Sequence, residues 1–311
     1  MVLWARWLWP LPLAIVCGIA AYPAQRLPRR PRAIVTFGLC ILISISPILI
    51  APRPRFLRLI GSLLSVTLGV KVYDLHHATN AGIRLSIWEF CGCLCNPFAL
   101  VLRRVMAEPR RPFLADMRQF IFGAGCGAAA ILLTIRVFEV HWKSHPFALE
   151  HCVKVVSLFL IIQFLGDGLA AAFRIAGFVS TDFGGPFFLA GTPAEFWRWY
   201  NRPAGQFLHE YIFKPAGGRR RLVLATLATF AFSGIVHEYV FDVPAGRILG
   251  TQMAFFLIQG LAAVATIRLK PRGWLAPPAI LATLAFNLLT ALLFFSSVNA
   301  VLPFYVSRVS R

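Results

Sequence analysis

The stretch that decides the fold of this chain is LVLATLATFAFSGIVHEYVFDV, residues 222–243. It is long enough for a helix to cross a bilayer, because a span needs about 20 apolar residues. His237 lies near its far end, and an ionisable side chain in hydrocarbon is costly unless it faces protein, water or a ligand. Imidazole exchanges a proton near neutral pH, so His237 is the first candidate functional residue.

The whole chain has the composition of a polytopic membrane protein. Of its 311 residues, 58% are hydrophobic and 14% are charged, whereas charged residues make up about a quarter of a soluble domain. The net charge is +19, and most basic residues lie between the apolar stretches, as in loops that face anionic headgroups. There is no soluble basic face of the kind that binds nucleic acid, so we expect membrane lipids and no nucleic acid as partners.

Apolar stretches close to the length of a membrane helix recur along the chain. They are residues 8–22, 33–51, 56–72, 85–102, 119–140, 153–178, 222–243, 251–268 and 275–302. The fourth carries Glu89 and the last is long enough to tilt or break, so we expect eight or nine spans. The predicted fold class is all-α, with residues 1–311 as a single membrane-embedded domain.

The first stretch has a second interpretation as a secretory leader. It is short, follows only Arg6, and contains Ala20 and then Ala24 like the small residues of a cleavage site. We expect a retained helix, because the chain goes on to cross the membrane repeatedly.

Arginines predict the orientation of the loops. The residues that mark one loop as cytoplasmic are Arg103, Arg104, Arg110, Arg111 and Arg118. Counting crossings forward places 180–221 and the loop with Arg268, Lys270 and Arg272 on the same side. Counting backward places the loop of Arg26, Arg29, Arg30 and Arg32 outside. Either one early segment is not a span or the rule fails there, which leaves the N-terminal side open.

Residues 192–221 are too polar to span and too aromatic for an ordinary linker. Thr192, Pro193 and Glu195 predict a helix start by capping, by proline at the first helical position and by a capping box. Asn201 follows a run of aromatic residues. Its amide could hold a carbonyl or thioester oxygen, or it could cap the backbone next to Pro203, and the residues alone leave both open.

Thr229, Ser233 and His237 recur every four residues and therefore share one helical face. The stripe indicates a wet or substrate-filled chamber. For the two hydroxyls we favour bonds to carbonyls one turn earlier, as is common in membrane helices. For His237 we favour function, because packing does not call for an imidazole there.

Three segments resemble the core of the membrane-bound O-acyltransferase family, with its wax synthase branch the most similar. They are EFWRWYN (195–201), YIFKP (211–215) followed by Gly217 and Gly218, and FSGIVHEY (232–239), within a motif core of 192–242. The resemblance implies membrane helices around a central reaction chamber, where acyl-CoA and a hydroxyl-bearing lipid meet at a histidine. His237 matches that histidine and Asn201 matches an upstream asparagine or histidine. Tyr200 and Trp199 depart from the tryptophan and basic residue usual before that position.

The chemistry fits these residues, since acyl transfer to an alcohol needs a base for the hydroxyl proton and a donor for the oxyanion. We expect His237 as the general base and Asn201 as the second catalytic residue. No cysteine or serine makes a convincing nucleophile, so direct transfer without an acyl-enzyme is expected. Glu238 faces away from His237 and is expected to be a structural partner. Acyl-CoA is a co-substrate, and no cofactor or metal is expected.

Further residues are candidates for substrate binding. They are Trp197, Arg198, Ser233, Asp167, Lys214 and Arg219. Lys214 and Arg219, separated by flexible glycines, could grip the phosphates of CoA, or they could simply obey the positive-inside rule. Asp167 could contact the acceptor hydroxyl, or it could pair with Arg174.

The sequence therefore predicts a lipid O-acyltransferase that joins a fatty acyl group to a long-chain alcohol. An O-acetyltransferase for a sterol, glycan or secondary metabolite is the nearer alternative. A proton-coupled secondary transporter is the alternative of another class. Short loops and frequent arginine and alanine suggest a bacterial inner membrane, and the oligomeric state is open.

Overall fold

The computed structural model describes residues 10–52 and 54–306. These residues form helices joined by loops and contain no strand, which confirms the all-α class. The α-helices are α1 (Pro10–Ala24), α2 (Arg29–Ile45), α3 (Arg55–Asn80), α4 (Ile87–Cys95), α5 (Leu102–Val105), α6 (Phe113–Glu139), α7 (Phe147–Ile175), α8 (Pro193–Trp199), α9 (Arg202–Leu208), α10 (Leu222–Ala245), α11 (Thr251–Thr266) and α12 (Ala276–Val301). A π-helical segment, His209–Phe213, follows α9.

Long apolar helices make this an integral, multi-pass membrane protein. Six helical stretches in the described part of the chain are long and apolar enough to span: Arg29–Leu49, Arg55–Asn80, Phe113–Glu139, Phe147–Ile175, Gly218–Ala245 and Gly273–Val301. Two shorter apolar helices are Leu11–Ala24 and Thr251–Thr266. The first predicted span, 8–22, corresponds to α1 except for two residues that lie outside the described part.

The predicted span over 85–102 is wrong. Its first part is the nine-residue helix α4, which begins with a capping box between Ser86 and Glu89. The helix ends at Cys95, and Asn96 follows it just before Pro97. The Asn96 side chain accepts a hydrogen bond from Phe98 N and donates one to Val179 O. A proline disfavours helical backbone in the residue before it, so the chain leaves the helix here.

A lysine in α3 stabilises this interruption. Lys71 Nζ donates to the carbonyl oxygens of Cys93 and Asn96 at 2.6 Å each and of Ala99 at 3.1 Å. Unpaired carbonyls at a helix end are costly inside a membrane, and the three N–H groups of the ammonium satisfy three of them. The short helix α4 is thereby held against α3 instead of crossing the membrane.

The absence of a span at 85–102 also changes the side of the membrane to which the Arg26–Arg32 loop is assigned. With 85–102 removed, α2 and α3 form a hairpin, so the Arg26–Arg32 loop falls on the same side as the Arg103 loop. Contacts agree, because Arg32 Nη2 lies 2.5 Å from Asn80 Oδ1 and Arg104 pairs with Glu210 at 3.0 Å. We call this side, with loops 25–28, 81–112, 176–221 and 267–275, the basic face, and the opposite side the far face.

The helix pair α10 and α11 packs closely enough to build one wall of a cavity. A Cβ added at Gly234 would lie 2.9 Å from Met253 Sδ, and one at Gly260 would lie 2.8 Å from the Cβ of Phe230. Small residues let helix backbones approach in membranes. The two glycines therefore set the spacing of the elements that carry His237 and its neighbours.

Candidate active site

A cavity of about 590 Å³ lies among α7, α8, α9, α10, α11 and α12. Its wall is mostly aromatic and aliphatic. Its polar lining residues are Arg198, Asn201, His209, Thr226, Thr229, Ser233, His237, Gln259 and Asn287. Thr226 and His237 both line it, so at 1.5 Å per residue it extends about 16 Å along α10.

His237 is held in one orientation at this cavity. Its Nδ1 lies 2.8 Å from the carbonyl oxygen of Ser233, and its ring contacts Phe256 and Phe294 at centroid distances of 4.4 and 5.8 Å. A carbonyl oxygen can only accept, so Nδ1 carries the hydrogen in the neutral ring and Nε2 has the free lone pair. The arrangement suits a base that takes a proton at Nε2.

The two residues after His237 have structural contacts. Glu238 accepts hydrogen bonds from Met253 N at 2.8 Å and Gly250 N at 3.2 Å, so its carboxylate caps the start of α11. Tyr239 Oη donates to Ser44 O at 2.7 Å. The structural interpretation of Glu238 agrees with these contacts.

The hydroxyls on the His237 face bond within their own helix. Thr229 Oγ1 donates to Ala225 O at 2.7 Å and Ser233 Oγ donates to Thr229 O at 3.0 Å. Both residues nevertheless line the cavity. The favoured interpretation, back-bonding to carbonyls one turn earlier, is what the structure shows.

The helix start at Thr192 has the predicted position with one difference. Thr192 Oγ1 accepts from Glu195 N at 3.1 Å, and α8 begins at Pro193. The Glu195 carboxylate accepts from Gly191 N at 2.8 Å rather than from the backbone of Thr192. In a capping box the Glu195 carboxylate would accept from Thr192 N, so its hydrogen bond here is made one residue earlier in the chain.

Asn201 links α8 to α9 in a conformation that few residues adopt. Its φ of 46° is the only positive value among the described non-glycine residues, and asparagine is among the side chains that tolerate it. Its Oδ1 accepts from Ala204 N at 3.3 Å, which caps α9. Asn201 also lines the cavity, so capping accounts for its oxygen, while the role of its amide N–H groups stays a prediction.

Only some of the other candidate residues reach the cavity. Trp197, Arg198 and Ser233 line it, whereas Lys214 and Arg219 do not. We call the end of the cavity at Arg198 and His209, on the basic face, its mouth. Lys214 lies near it, and its Nζ pairs with Glu210 at 2.8 Å. A role for Lys214 and Arg219 in CoA binding would therefore be at the surface around the mouth.

The mouth at the basic face is a cluster of charged groups around His209. Burial and the charges of Arg104 and Lys214 lower the pKa of His209, so its ring is neutral at neutral pH. Burial raises the pKa of Glu210, but hydrogen bonds from Lys214 and Arg104 outweigh it and hold that pKa below its usual value. One carboxylate among several basic groups leaves the mouth net positive.

Asp167 lies outside the His237 cavity. It lines a separate cavity of about 530 Å³ with Gln163 and Asp182, accepts from Gly184 N at 3.3 Å, and is hydrogen-bonded by Gln163 Nε2. The alternative of an Asp167–Arg174 pair is wrong. The Arg174 guanidinium bonds Asp116 at 2.7 Å and Asp182 at 3.1 Å instead.

Among the polar lining residues that were absent from the sequence-based candidates are His209, Thr226, Gln259 and Asn287. Gln259 lies in α11 and Asn287 in α12, and Trp197 Nε1 donates to Gln259 Oε1 at 2.8 Å. Both interrupt otherwise apolar spans, a signal that marks functional positions in membrane helices. Their meeting across three helices is a tertiary feature that no local pattern shows.

Two comparisons with known proteins bear on this site. Residues 147–295 match the model of the membrane-bound O-acyltransferase family, and this range contains every lining residue of the cavity except Val298. The chain is also similar to Acyl-CoA--sterol O-acyltransferase 1 of Arabidopsis thaliana, with 28% identity over 185 residues, or 54% of this chain and 53% of that protein. The chain thus matches about half the length of this relative. The two similarities support a membrane-bound O-acyltransferase domain in the part of the chain that builds the cavity.

Proposed function

We propose that the protein is an acyl-CoA-dependent O-acyltransferase that transfers a fatty acyl group to the hydroxyl of a membrane lipid. The observation that carries the proposal is His237, whose Nδ1 is bound to Ser233 O while Nε2 is free at a long, mostly apolar cavity. An apolar wall suits a fatty chain, and His237 Nε2 lies where the hydroxyl of the alcohol needs a proton acceptor.

The reaction proceeds in one ternary complex. His237 Nε2 takes the hydroxyl proton as the alcohol oxygen attacks the thioester carbonyl carbon, and the carbonyl oxygen gains the negative charge of the tetrahedral intermediate. The C–S bond then breaks, and the imidazolium returns the proton to the CoA thiolate. The Ser233 carbonyl keeps its bond to Nδ1–H throughout, which stabilises the charged ring.

Charge distribution supports entry of acyl-CoA from the basic face. Arg198 and His209 line the cavity there, and the exposed Lys214 and Arg219 lie on the adjoining surface. Phosphate groups bind arginine and lysine, while the acyl chain needs the apolar interior. CoA phosphates would therefore remain at the mouth while the thioester reaches toward His237.

The acceptor that we propose first is a long-chain alcohol, on the resemblance of the motif core to wax synthases. A sterol is the second candidate, supported by the name of the similar plant protein. Both are hydroxyl lipids that reach the cavity from the membrane. The alternative donor, acetyl-CoA, would fill less of the cavity than a fatty acyl-CoA. Location in a bacterial inner membrane stays a sequence-based prediction.

The test is product analysis with purified protein in lipid vesicles. Labelled acetyl-CoA or fatty acyl-CoA is combined with a fatty alcohol, a diacylglycerol or a sterol, and labelled esters are identified. We expect a fatty ester of the alcohol or the sterol. Absence of any ester together with proton-coupled solute uptake would overturn the proposal in favour of a transporter.

A further inference from the structure

The second cavity, which we call the Asp167 pocket, is bordered by residues that face the bilayer. Its volume is about 530 Å³, and it shares no lining residue with the His237 cavity. Phe122 and Leu189 both line it, and they are 64% and 62% exposed. In the membrane these two side chains contact lipid, so a lipid can enter the pocket between α6 and the loop after α7. The polar lining residues are Gln119, Gln163, Asp167 and Asp182.

The Asp167 pocket lies in the half of the membrane next to the basic face. Gln119 is in the second turn of α6, Asp182 belongs to the 176–221 loop, and Asp167 lies eight residues before the end of α7. At 1.5 Å per residue, the Asp167 backbone is therefore about 12 Å from the basic end of that helix. The polar end of a membrane lipid lies closer to this depth than its tail does.

One carboxylate of the pocket, that of Asp182, already has cationic partners. It pairs with Arg111, with Arg174 at 3.1 Å and with Arg202 at 3.9 Å. Gln119 Nε2 also donates to it at 2.8 Å. The charge of Asp182 is therefore compensated within the protein.

The carboxylate of Asp167 has neutral partners instead. It accepts hydrogen bonds from Gln163 Nε2 and from Gly184 N, the latter at 3.3 Å. Among the described residues it forms no ion pair with a lysine, arginine or histidine, and the one charge that acts on it strongly is the like charge of Asp182. Asp167 is only half-buried, so a molecule in the pocket can reach it. A negative charge at this depth is costly unless a cation lies beside it.

The chemistry of Asp167 narrows the class of ligand. A carboxylate only accepts, so the ligand group must donate. The hydroxyl of an alcohol or a sterol donates one hydrogen bond but leaves the negative charge uncompensated. A primary ammonium donates up to three hydrogen bonds and also cancels the charge. A trimethylammonium group carries the charge but has no N–H to donate.

We propose that the Asp167 pocket binds the primary ammonium group of a membrane lipid. Asp167 is the counter-ion, Gln163 positions its carboxylate, and the lipid tails pass Phe122 and Leu189 into the bilayer. The site is separate from the reaction proposed at His237, so either assignment can fail without the other.

The test is native mass spectrometry of the purified protein in detergent. Dioleoyl phosphatidylethanolamine and dioleoyl phosphatidylcholine are added in equal amounts, because they share tails and phosphate and differ only in the methyl groups on nitrogen. We expect the wild type to bind the ethanolamine lipid about tenfold more tightly, as a hydrogen bond to a charged group allows. Asp167→Asn should bind the two lipids equally.

Asn at position 167 keeps the size of the side chain and an oxygen for Gly184 N. Asp167→Leu, an apolar residue suited to a membrane helix, carries the test if the asparagine variant folds poorly. The control is Glu139→Gln, at the exposed far end of α6, where Glu139 pairs with Arg136 at 2.9 Å and does not line the pocket. It should keep the preference of the wild type.

Equal binding of the two lipids by the wild type would overturn the inference. A preference for the ethanolamine lipid that persists in both Asp167 variants would overturn it as well. Oleyl alcohol, added at the same concentration, tests the hydroxyl alternative. Displacement of the ethanolamine lipid by the alcohol would assign the pocket to hydroxyl lipids and contradict an ammonium site, whereas the account predicts no displacement.

Discussion

Three consecutive residues, His237, Glu238 and Tyr239, make different contacts, because neighbours on a helix point to different sides. His237 faces the cavity, Glu238 caps the next helix, and Tyr239 donates to Ser44 O. The carboxylate therefore does not orient the imidazole. The Ser233 carbonyl, one turn earlier, orients the imidazole instead, so no acidic residue is needed for this purpose.

Asn201 can be tested by separating its cap from its amide. Asn201→Gly accepts the positive φ and loses little stability, whereas Asn201→Ala should lose about 1–2 kcal/mol through the strained backbone and the lost cap. Asn201→Asp keeps an oxygen for Ala204 N but loses the NH₂. If the amide takes part in catalysis, turnover falls about 100-fold in the folded glycine and aspartate variants alike.

Thermal melts and initial rates of ester formation measure the two effects separately. Full activity in the glycine variant would show that Asn201 serves only to connect α8 and α9. Sequence alone left these two roles open, because a cap and a ligand contact both require the same small amide beside Pro203.

At the scale of elements, apolar length predicted most of the membrane helices but failed for 85–102. The failure has a local cause and a distant one. Pro97 disfavours helix at Asn96, a signal present in the sequence. The three carbonyls bound by Lys71 belong to a contact between residues more than 20 positions apart, which a hydropathy window does not contain.

We predict that Lys71→Met destabilises the protein more than any exposed lysine substitution. Methionine has a similar length but cannot donate, so three carbonyls lose their partner at a cost of about 3 kcal/mol or more. Lys143→Met in the exposed loop on the far face is the matched control. Unfolding in detergent is followed by heat or denaturant, and equal stability of the two variants would contradict the role of Lys71.

At the scale of the molecule, Arg55 and Arg58 at the start of α3 lie on the far face. The helix order places the other arginine-rich segments, in the four loops defined above, on the basic face. The positive-inside rule then predicts that this face is cytoplasmic. The same face carries the mouth of the cavity at Arg198 and His209. The position of the cavity mouth and the positive charge around it both predict that an anionic donor enters from the basic face. The sequence alone did not establish the orientation of the N-terminal half.

This topology is tested with single-cysteine variants at Arg30, Arg110 and Arg272 on the basic face and at Lys143 and Ile248 on the far face, in a background without the native cysteines. An impermeant thiol reagent added to sealed inside-out vesicles should label the first three and not the last two. Labelling of Arg30→Cys together with Lys143→Cys would contradict the hairpin of α2 and α3.

The central claim is proton transfer at His237, and the most direct measurement is the initial rate of ester formation by His237→Ala in vesicles. His145→Ala, in the exposed loop on the far face, is the control, and both proteins must show the wild-type melting temperature. A general base contributes about 100-fold to 10,000-fold, so we expect a loss of at least that order in His237→Ala and an unchanged rate in His145→Ala. A well-folded His237→Ala protein that forms ester at the wild-type rate would contradict the account.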